Sequence, residues 1–234
     1  MLAIVVLRPF LAIFTRHSWS GQENLDQGGQ GIVVASNHLS WFDPLVVSQY
    51  LYLNGRPPRF LAKESLFRIP LVGRVIRGAG QIPVYRESRE AVASVRAAVA
   101  AAGRGECVVV YPEGTITRDP RLWPMAGRTG VARIALVSGA PVVPLAHWGA
   151  QQIMWPYRKQ FRLLPVKRMQ VRAGRPVDLD DLRDRPMDAE TLRIATGRIV
   201  AAITALLEEI RGESAPPVRL DRAALRRQQG DTAP

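Results

Sequence analysis

Gly31-Ile32-Val33-Val34-Ala35-Ser36-Asn37-His38-Leu39-Ser40-Trp41-Phe42-Asp43-Pro44 decides how this chain is read. An unbroken apolar run of strand length gives way to a polar turn, and a proline then opens a helical pattern over residues 44–53. Proline suits the first position of a helix, where an N–H has no intrahelical partner, and Asp43 stands where a cap for that helix belongs. The turn carries an imidazole and a carboxylate five positions apart, His38 and Asp43. A neutral imidazole can take a proton from a hydroxyl, and a nearby carboxylate fixes its tautomer and stabilises the imidazolium that forms. No Gly-x-Ser-x-Gly elbow supplies a nucleophile to go with them.

Outward from this stretch the same alternation repeats. Apolar runs at 32–35, 59–62, 81–84, 107–111, 142–147 and 169–173 read as strands. Helical patterns separate them. One covers 88–102 with Val92, Val95 and Val99 on its apolar face, and another covers 129–138 and stops at Gly139-Ala140-Pro141. A long stripe of Leu192, Ile199, Ile203, Leu206 and Ile210 follows, with Asp188 as its cap. Strands alternating with helices predict an α/β domain, a mixed and largely parallel sheet flanked by helices, over residues 17–211. A chain of 234 residues is long enough to bury such a core.

Composition bounds the partners. Lys and Arg number 32 against 20 Asp and Glu, a net charge of +12, which points to an anionic partner: nucleic acid, a phospholipid surface or a phosphorylated substrate. The arginines are spread along the whole chain and no RNA-binding signature is present, so nucleic acid is the weakest of the three. The single cysteine, Cys107, excludes an intrachain disulfide and opens an apolar run, as a buried core residue would. No His-Glu-x-x-His or Cys-x-x-Cys spacing offers a metal site, and no cofactor motif is complete.

Residues 1–16 are apolar but broken by Arg8 and Pro9, too short a stretch for a spanning helix and without a cleavage signal. They read either as a segment lying in a bilayer interface, with Arg8 and Arg16 at headgroups, or as a helix packed on the domain. After Gly212 the composition turns to Pro and Arg, so residues 212–234 read as a basic, flexible tail.

Three further segments carry chemistry. Tyr111-Pro112-Glu113-Gly114-Thr115 follows the strongest β pattern, which puts Glu113 at a strand's carboxyl end, where open α/β sheets hold ligands. Gly80-Gln81-Ile82-Pro83-Val84-Tyr85-Arg86 ends an apolar strand in an arginine able to pair with phosphate. Val142-Val143-Pro144-Leu145-Ala146 is a strand interrupted by proline and reads as a pocket wall.

In this order and spacing the four segments resemble the glycerolipid acyltransferase family of the 1-acyl-glycerol-3-phosphate acyltransferase type. That family carries Asn-His-x4-Asp, then Gly-x-Ile with a following arginine, then Phe-Pro-Glu-Gly-Thr, then a Val-x-Pro strand. The resemblance covers roughly residues 20–180, and Lys63 and Gly127 also look like family positions. Two departures stand out: Tyr111 replaces the usual phenylalanine, and Ile116 and Thr117 intervene before Arg118, where the family has arginine directly after the threonine.

The resemblance implies acyl transfer from an acyl-CoA or acyl carrier protein to a lysophospholipid acceptor, with no cofactor and no metal. His38 would be the general base and Asp43 would orient it. Arg86, helped by Lys63 and Arg118, would hold the acceptor's phosphate, with Glu113, Gly114 and Thr115 ordering that site or binding a glycerol hydroxyl. It also implies a peripheral or interfacially anchored enzyme at the cytoplasmic face of the cell membrane. The motifs leave the acceptor open between 1-acyl-glycerol 3-phosphate, glycerol 3-phosphate, another lysophospholipid, a lyso-ornithine lipid or a glycolipid. A non-catalytic membrane-binding protein on the same scaffold is the remaining alternative.

Overall fold

The computed structural model describes residues 13–84, 90–158 and 160–221. Seven strands form one sheet: β1 (Thr15–Ser20), β2 (Ile32–Ser36), β3 (Pro58–Lys63), β4 (Ile82–Val84), β5 (Cys107–Val110), β6 (Val142–Trp148) and β7 (Lys167–Ala173). Their order is β1-β7-β6-β2-β5-β3-β4. Every neighbouring pair is parallel except β6 with β7, so the sheet is mixed and largely parallel, as the alternating pattern predicts. β2 and β5 lie in its middle and are buried along their whole length, which explains why they read as continuous apolar runs instead of alternating ones.

The longer helices are α1 (Asp43–Leu53), α3 (Pro70–Gly78), α4 (Glu90–Gly103), α5 (Gly130–Ser138) and α8 (Ala189–Arg211). Single turns make up α2 (Glu64–Phe67), α6 (Ala150–Ile153) and α7 (Asp180–Arg183). Period-two alternation in the strands divides the core in two. Val33, Ala35, Val108 and Val142 meet Ala98 and Ala101 of α4, Ile134 of α5 and Ile199 and Ile203 of α8. Ile32, Val34, Val109 and Leu145 meet Val46, Val47 and Tyr50 of α1 and Ile153 of α6 on the opposite face. Asp188 caps α8 as its sequence position predicts, its carboxylate accepting from the Thr191 amide at 2.8 Å.

This arrangement creates the site. β2 leads into α1 on one face of the sheet, while its neighbour β5 leads on to α5 on the other. Where connections from adjacent parallel strands diverge in this way, a crevice opens at their carboxyl ends. Asn37-His38 leaves β2 at that point, and Tyr111–Thr115 leaves β5.

Several expectations need correction. β1 was not among the expected strands; it is a polar, partly exposed edge strand, without the apolar run or clean alternation that marks a buried one. It takes Thr15 and Arg16 into the sheet, while residues 1–12 of the expected N-terminal segment lie outside the described residues. Val92 points to solvent, and α4 packs through Ser94, Ala98, Ala101 and Ala102, small side chains that bring the helix close to the sheet. Residues 213–221, expected to begin a flexible tail, fold back on the domain: Ala126 donates to the Leu220 carbonyl at 3.0 Å and Ala215 packs near Leu207. Residues 222–234 lie outside the described residues. Among the described residues no helix is long and apolar enough to cross a membrane.

Because α8 closes one face through side chains with no solvent exposure, Ile199→Ala is expected to lower unfolding free energy by about 2–5 kcal/mol in urea denaturation. Val137→Ala, at an exposed position on α5, is expected to change it by less than about 0.5 kcal/mol.

Candidate active site

Asp43 is the first residue of α1 and is fully buried, but it does not cap that helix. Its carboxylate turns back into the preceding loop instead. Oδ2 accepts hydrogen bonds from the Leu39 amide, from the Ser40 amide at 2.7 Å and from His38 Nδ1 at 2.8 Å. The loop is pinned further by Ser40, whose hydroxyl donates to the Met154 carbonyl at 2.6 Å and accepts from the Phe42 amide at 3.0 Å. Two side chains of one short turn, Asp43 and Ser40, thereby fix the imidazole and its loop. With Nδ1–H donating to Asp43, the lone pair lies on Nε2, and the buried carboxylate stabilises the imidazolium that a captured proton would create. The His38 side chain is 13% exposed, and Tyr111 stacks on its ring at 4.1 Å and 14°.

Glu113 holds the same loop from the β5 side. It is 3% exposed, and its Oε1 accepts from the His38 amide at 3.1 Å while Oε2 accepts from the Met125 amide at 3.0 Å. Burial pushes its pKa up to about 8, against the opposing pull of those two amides. The Thr117 amide donates to the His38 carbonyl at 2.7 Å, so both backbone groups of His38 are tied to the 113–125 segment. Gly114 adopts φ +66°, and a Cβ there would lie 3.1 Å from Arg128 Cδ. Gly127 lets the segment lie directly on α8: a Cβ would stand 2.8 Å from both Thr196 Cγ2 and Val200 Cγ2.

A third support escaped the sequence reading. His147, at the end of β6, is fully buried and exchanges hydrogen bonds with Asn37. The His147 amide donates to Asn37 Oδ1, Asn37 Nδ2 donates to the His147 carbonyl, both at 3.0 Å, and His147 Nε2 donates to the Asn37 carbonyl at 2.9 Å. Burial lowers its pKa and keeps the ring neutral. Its Nε2 stands 3.7 Å from Asp43 Oδ2. The chain has only three histidines, and one of them closes a strand that follows a Val-x-Pro run; that placement was the available signal.

The remaining expected residues are placed as follows. Thr115 is partly buried beside Gly114. Lys63 is exposed at the carboxyl end of β3, and Arg118 is exposed with its guanidinium 5.4 Å from the Tyr157 ring centre. Neither belongs to the hydrogen-bonded unit of His38, Asp43 and Glu113. Arg86 lies outside the described residues. Cys107 is buried, and burial pushes its thiol up to about 12, as suits an inert core residue. Among the described residues no group of three His, Cys, Asp or Glu side chains is placed to hold a metal ion.

The family model described as Acyltransferase matches residues 16–148, from β1 to the end of β6. The chloroplastic 1-acyl-sn-glycerol-3-phosphate acyltransferase BAT2 of Brassica napus is 32% identical over 142 residues, 60% of this chain and 40% of that protein. A 1-acyl-sn-glycerol-3-phosphate acyltransferase of Borreliella burgdorferi is 33% identical over 129 residues, 54% of this chain and 48% of that protein. The matched region thus spans less than half the length of these relatives. The crystal structure of the 1-acyl-sn-glycerophosphate acyltransferase PlsC from Thermotoga maritima superposes with a TM-score of 0.66 at 25% identity, over 89% of this chain and 78% of that one. With the matched region covering more than half of the sequence and containing His38, Asp43 and Glu113 together, the chain belongs to the acyltransferase family.

Proposed function

We propose that this protein moves a fatty acyl group from an acyl thioester, acyl-CoA or acyl carrier protein, to the free hydroxyl of 1-acyl-glycerol 3-phosphate and so forms phosphatidic acid. The observation that carries this reading is the 2.8 Å contact between His38 Nδ1 and the buried Asp43 carboxylate, set at the carboxyl edge of a largely parallel sheet. The names of relatives from a plant plastid and a spirochaete support the acceptor.

His38 Nε2 removes the proton from the acceptor hydroxyl as its oxygen bonds to the thioester carbonyl carbon. The carbon–sulfur bond then breaks, the thiolate leaves, and the proton on the imidazolium is available to it. No acyl-enzyme forms, in keeping with a site whose hydrogen-bonded unit is built around an imidazole and two carboxyl groups. Arg86, with Lys63 and Arg118, holds the acceptor's phosphate. Glu113 serves as a positioning residue: both its oxygens are engaged by backbone amides, which favours the ordering role over direct contact with a glycerol hydroxyl. Gly114 and Thr115 shape the turn beside it. We place the enzyme at the cytoplasmic face of the cell membrane, where a lysophospholipid is presented.

Three measurements test this. His38→Ala is expected to lower kcat for acyl transfer to lysophosphatidic acid by about 10²–10⁴-fold with circular dichroism and Tm unchanged; full activity would overturn the dyad. Arg86→Ala is expected to raise the acceptor KM about tenfold or more, because a charge-assisted hydrogen bond contributes about 1.5–3 kcal/mol, while the donor KM stays constant. The third concerns pH. A carboxyl whose pKa is raised to about 8 binds more protons folded than unfolded between about 4.5 and 8, so Glu113 makes the fold lose stability as pH rises through that window. Glu113→Gln should remove this part of the slope in urea titrations at pH 5 to 8; an identical slope in the variant would show that Glu113 stays ionised.

A further inference from the structure

Because β7 runs antiparallel to β6, with Trp148 opposite Gln170, residues 154–158 and 160–166 lie at the carboxyl end of the parallel strands, the end that bears His38. This segment is fastened to both loops of the site: Ser40 donates to the Met154 carbonyl, and the Tyr157 hydroxyl donates to the Ile116 carbonyl at 2.6 Å. Thr15 pairs with Lys167 in the parallel β1–β7 register, so the chain enters the sheet at this same end, directly after its apolar N-terminal sequence.

Large apolar side chains stand in solvent here. Trp41 is 59% exposed, Trp155 44%, Tyr157 50%, Phe161 50% and Leu164 71%. Trp41 lies between buried Ser40 and Phe42, so the turn that fixes the dyad also thrusts this indole outward. Phe161 stands 6.1 Å from Phe42, centre to centre, which joins the segment to that turn. Exposed apolar side chains grouped in this way mark protein or membrane interaction sites more often than single scattered ones do.

The charges that this segment itself carries are of one sign. From Asp119 to Asp178 the sequence contains no other Asp or Glu, while Arg158, Arg162, Lys167 and Arg168 fall within or directly after this segment. Arg158, Arg162 and Arg168 are exposed, and Arg118 lies over the Tyr157 ring. Indole and phenol rings settle at the headgroup level of a bilayer, aliphatic and phenyl groups go deeper, and Arg and Lys pair with anionic headgroups. A nucleic acid would match the charge but leave Phe161 and Leu164 in water.

We propose that this rim is a docking face for bilayers containing anionic phospholipid, seating the crevice of His38 on the lipid surface. Its purpose rests on the acyltransferase reading; its test does not. The full chain is mixed with phosphatidylcholine vesicles with and without phosphatidylglycerol, some with brominated acyl chains. Bromine is expected to quench tryptophan emission, and Trp41→Phe/Trp155→Phe should lose most of that quenching. Phe161→Ser/Leu164→Ser should bind phosphatidylglycerol vesicles about tenfold more weakly, with Val137→Ser, exposed on α5 away from this rim, unchanged.

Quenching and binding that are the same in these variants as in the parent would overturn the proposal. So would shielding of Trp41 and Trp155 from acrylamide before vesicles are added, which would mean that the chain's own residues cover the face, or equal affinity for a single-stranded DNA oligomer. Acyl transfer to an acceptor dispersed in detergent should persist in Phe161→Ser/Leu164→Ser. Loss of that transfer with normal vesicle binding would make these residues part of the substrate pocket and also overturn it. Should the chain transfer no acyl group at all, vesicle binding still reads the face by itself.

Discussion

The carboxylate of Asp43 sits fully out of water at the first turn of α1, and that burial would be costly without hydrogen bonds to offset it. Two backbone amides and the His38 ring nitrogen all converge on its Oδ2. To collect them, the chain between β2 and α1 curls around the carboxylate, and the curl fixes the direction in which His38 projects. The position at the helix N-terminus adds the favourable end of the helix dipole. Satisfying one buried charge and aiming one imidazole are therefore the same structural event. Removing either partner would leave the other in an environment built for the pair.

The sheet makes that event possible. β2 is flanked by β5 and β6, and each neighbour returns a polar group to the loop that leaves β2: Glu113 from the β5 side, His147 from the β6 side. Parallel neighbours end together at one edge, so three loops from distant parts of the sequence meet there. Asn37 binds His147 on one flank while the His38 backbone binds Glu113 and Thr117 on the other. The imidazole is held from both sides by rigid strands, the fixed position that a general base in the proposed reaction requires.

Much of this could be read from the amino-acid sequence, for identifiable reasons. The central strands were legible because both faces are covered and their apolar runs are unbroken. The contact between His38 and Asp43 was legible because both residues sit in one turn. β1 was hidden because an edge strand is half solvated, and its polar Thr15-Arg16-His17-Ser18 start looks like a loop. Val92 was misplaced because α4 meets the sheet through alanines, so its largest side chains are not its most buried ones. His147 was missed because its partner Asn37 is 110 residues away, and strand order rather than spacing brings them together. Glu113 was placed at its strand's carboxyl end, but its contacts were not legible, since a sequence shows the residue type and not what occupies each oxygen.

The two buried carboxyl groups of the site divide the work through their surroundings. Asp43 gathers its donors on one oxygen and adds an imidazole to them; Glu113 shares its oxygens between two amides. Burial, with a smaller contribution from the negative charge of Asp43, raises the pKa of Glu113 to about 8. The second carboxyl is therefore harder to ionise than an ordinary glutamate. Were Glu113 fully ionised as well, it would add a second negative charge beside a site where, in the proposed reaction, a phosphate binds and an oxyanion develops, and both are disfavoured by it. A carboxyl engaged by two backbone amides holds the loop in place, so two buried carboxyl groups from the ends of neighbouring strands serve the site differently: one orients the imidazole, the other fixes the backbone that carries it.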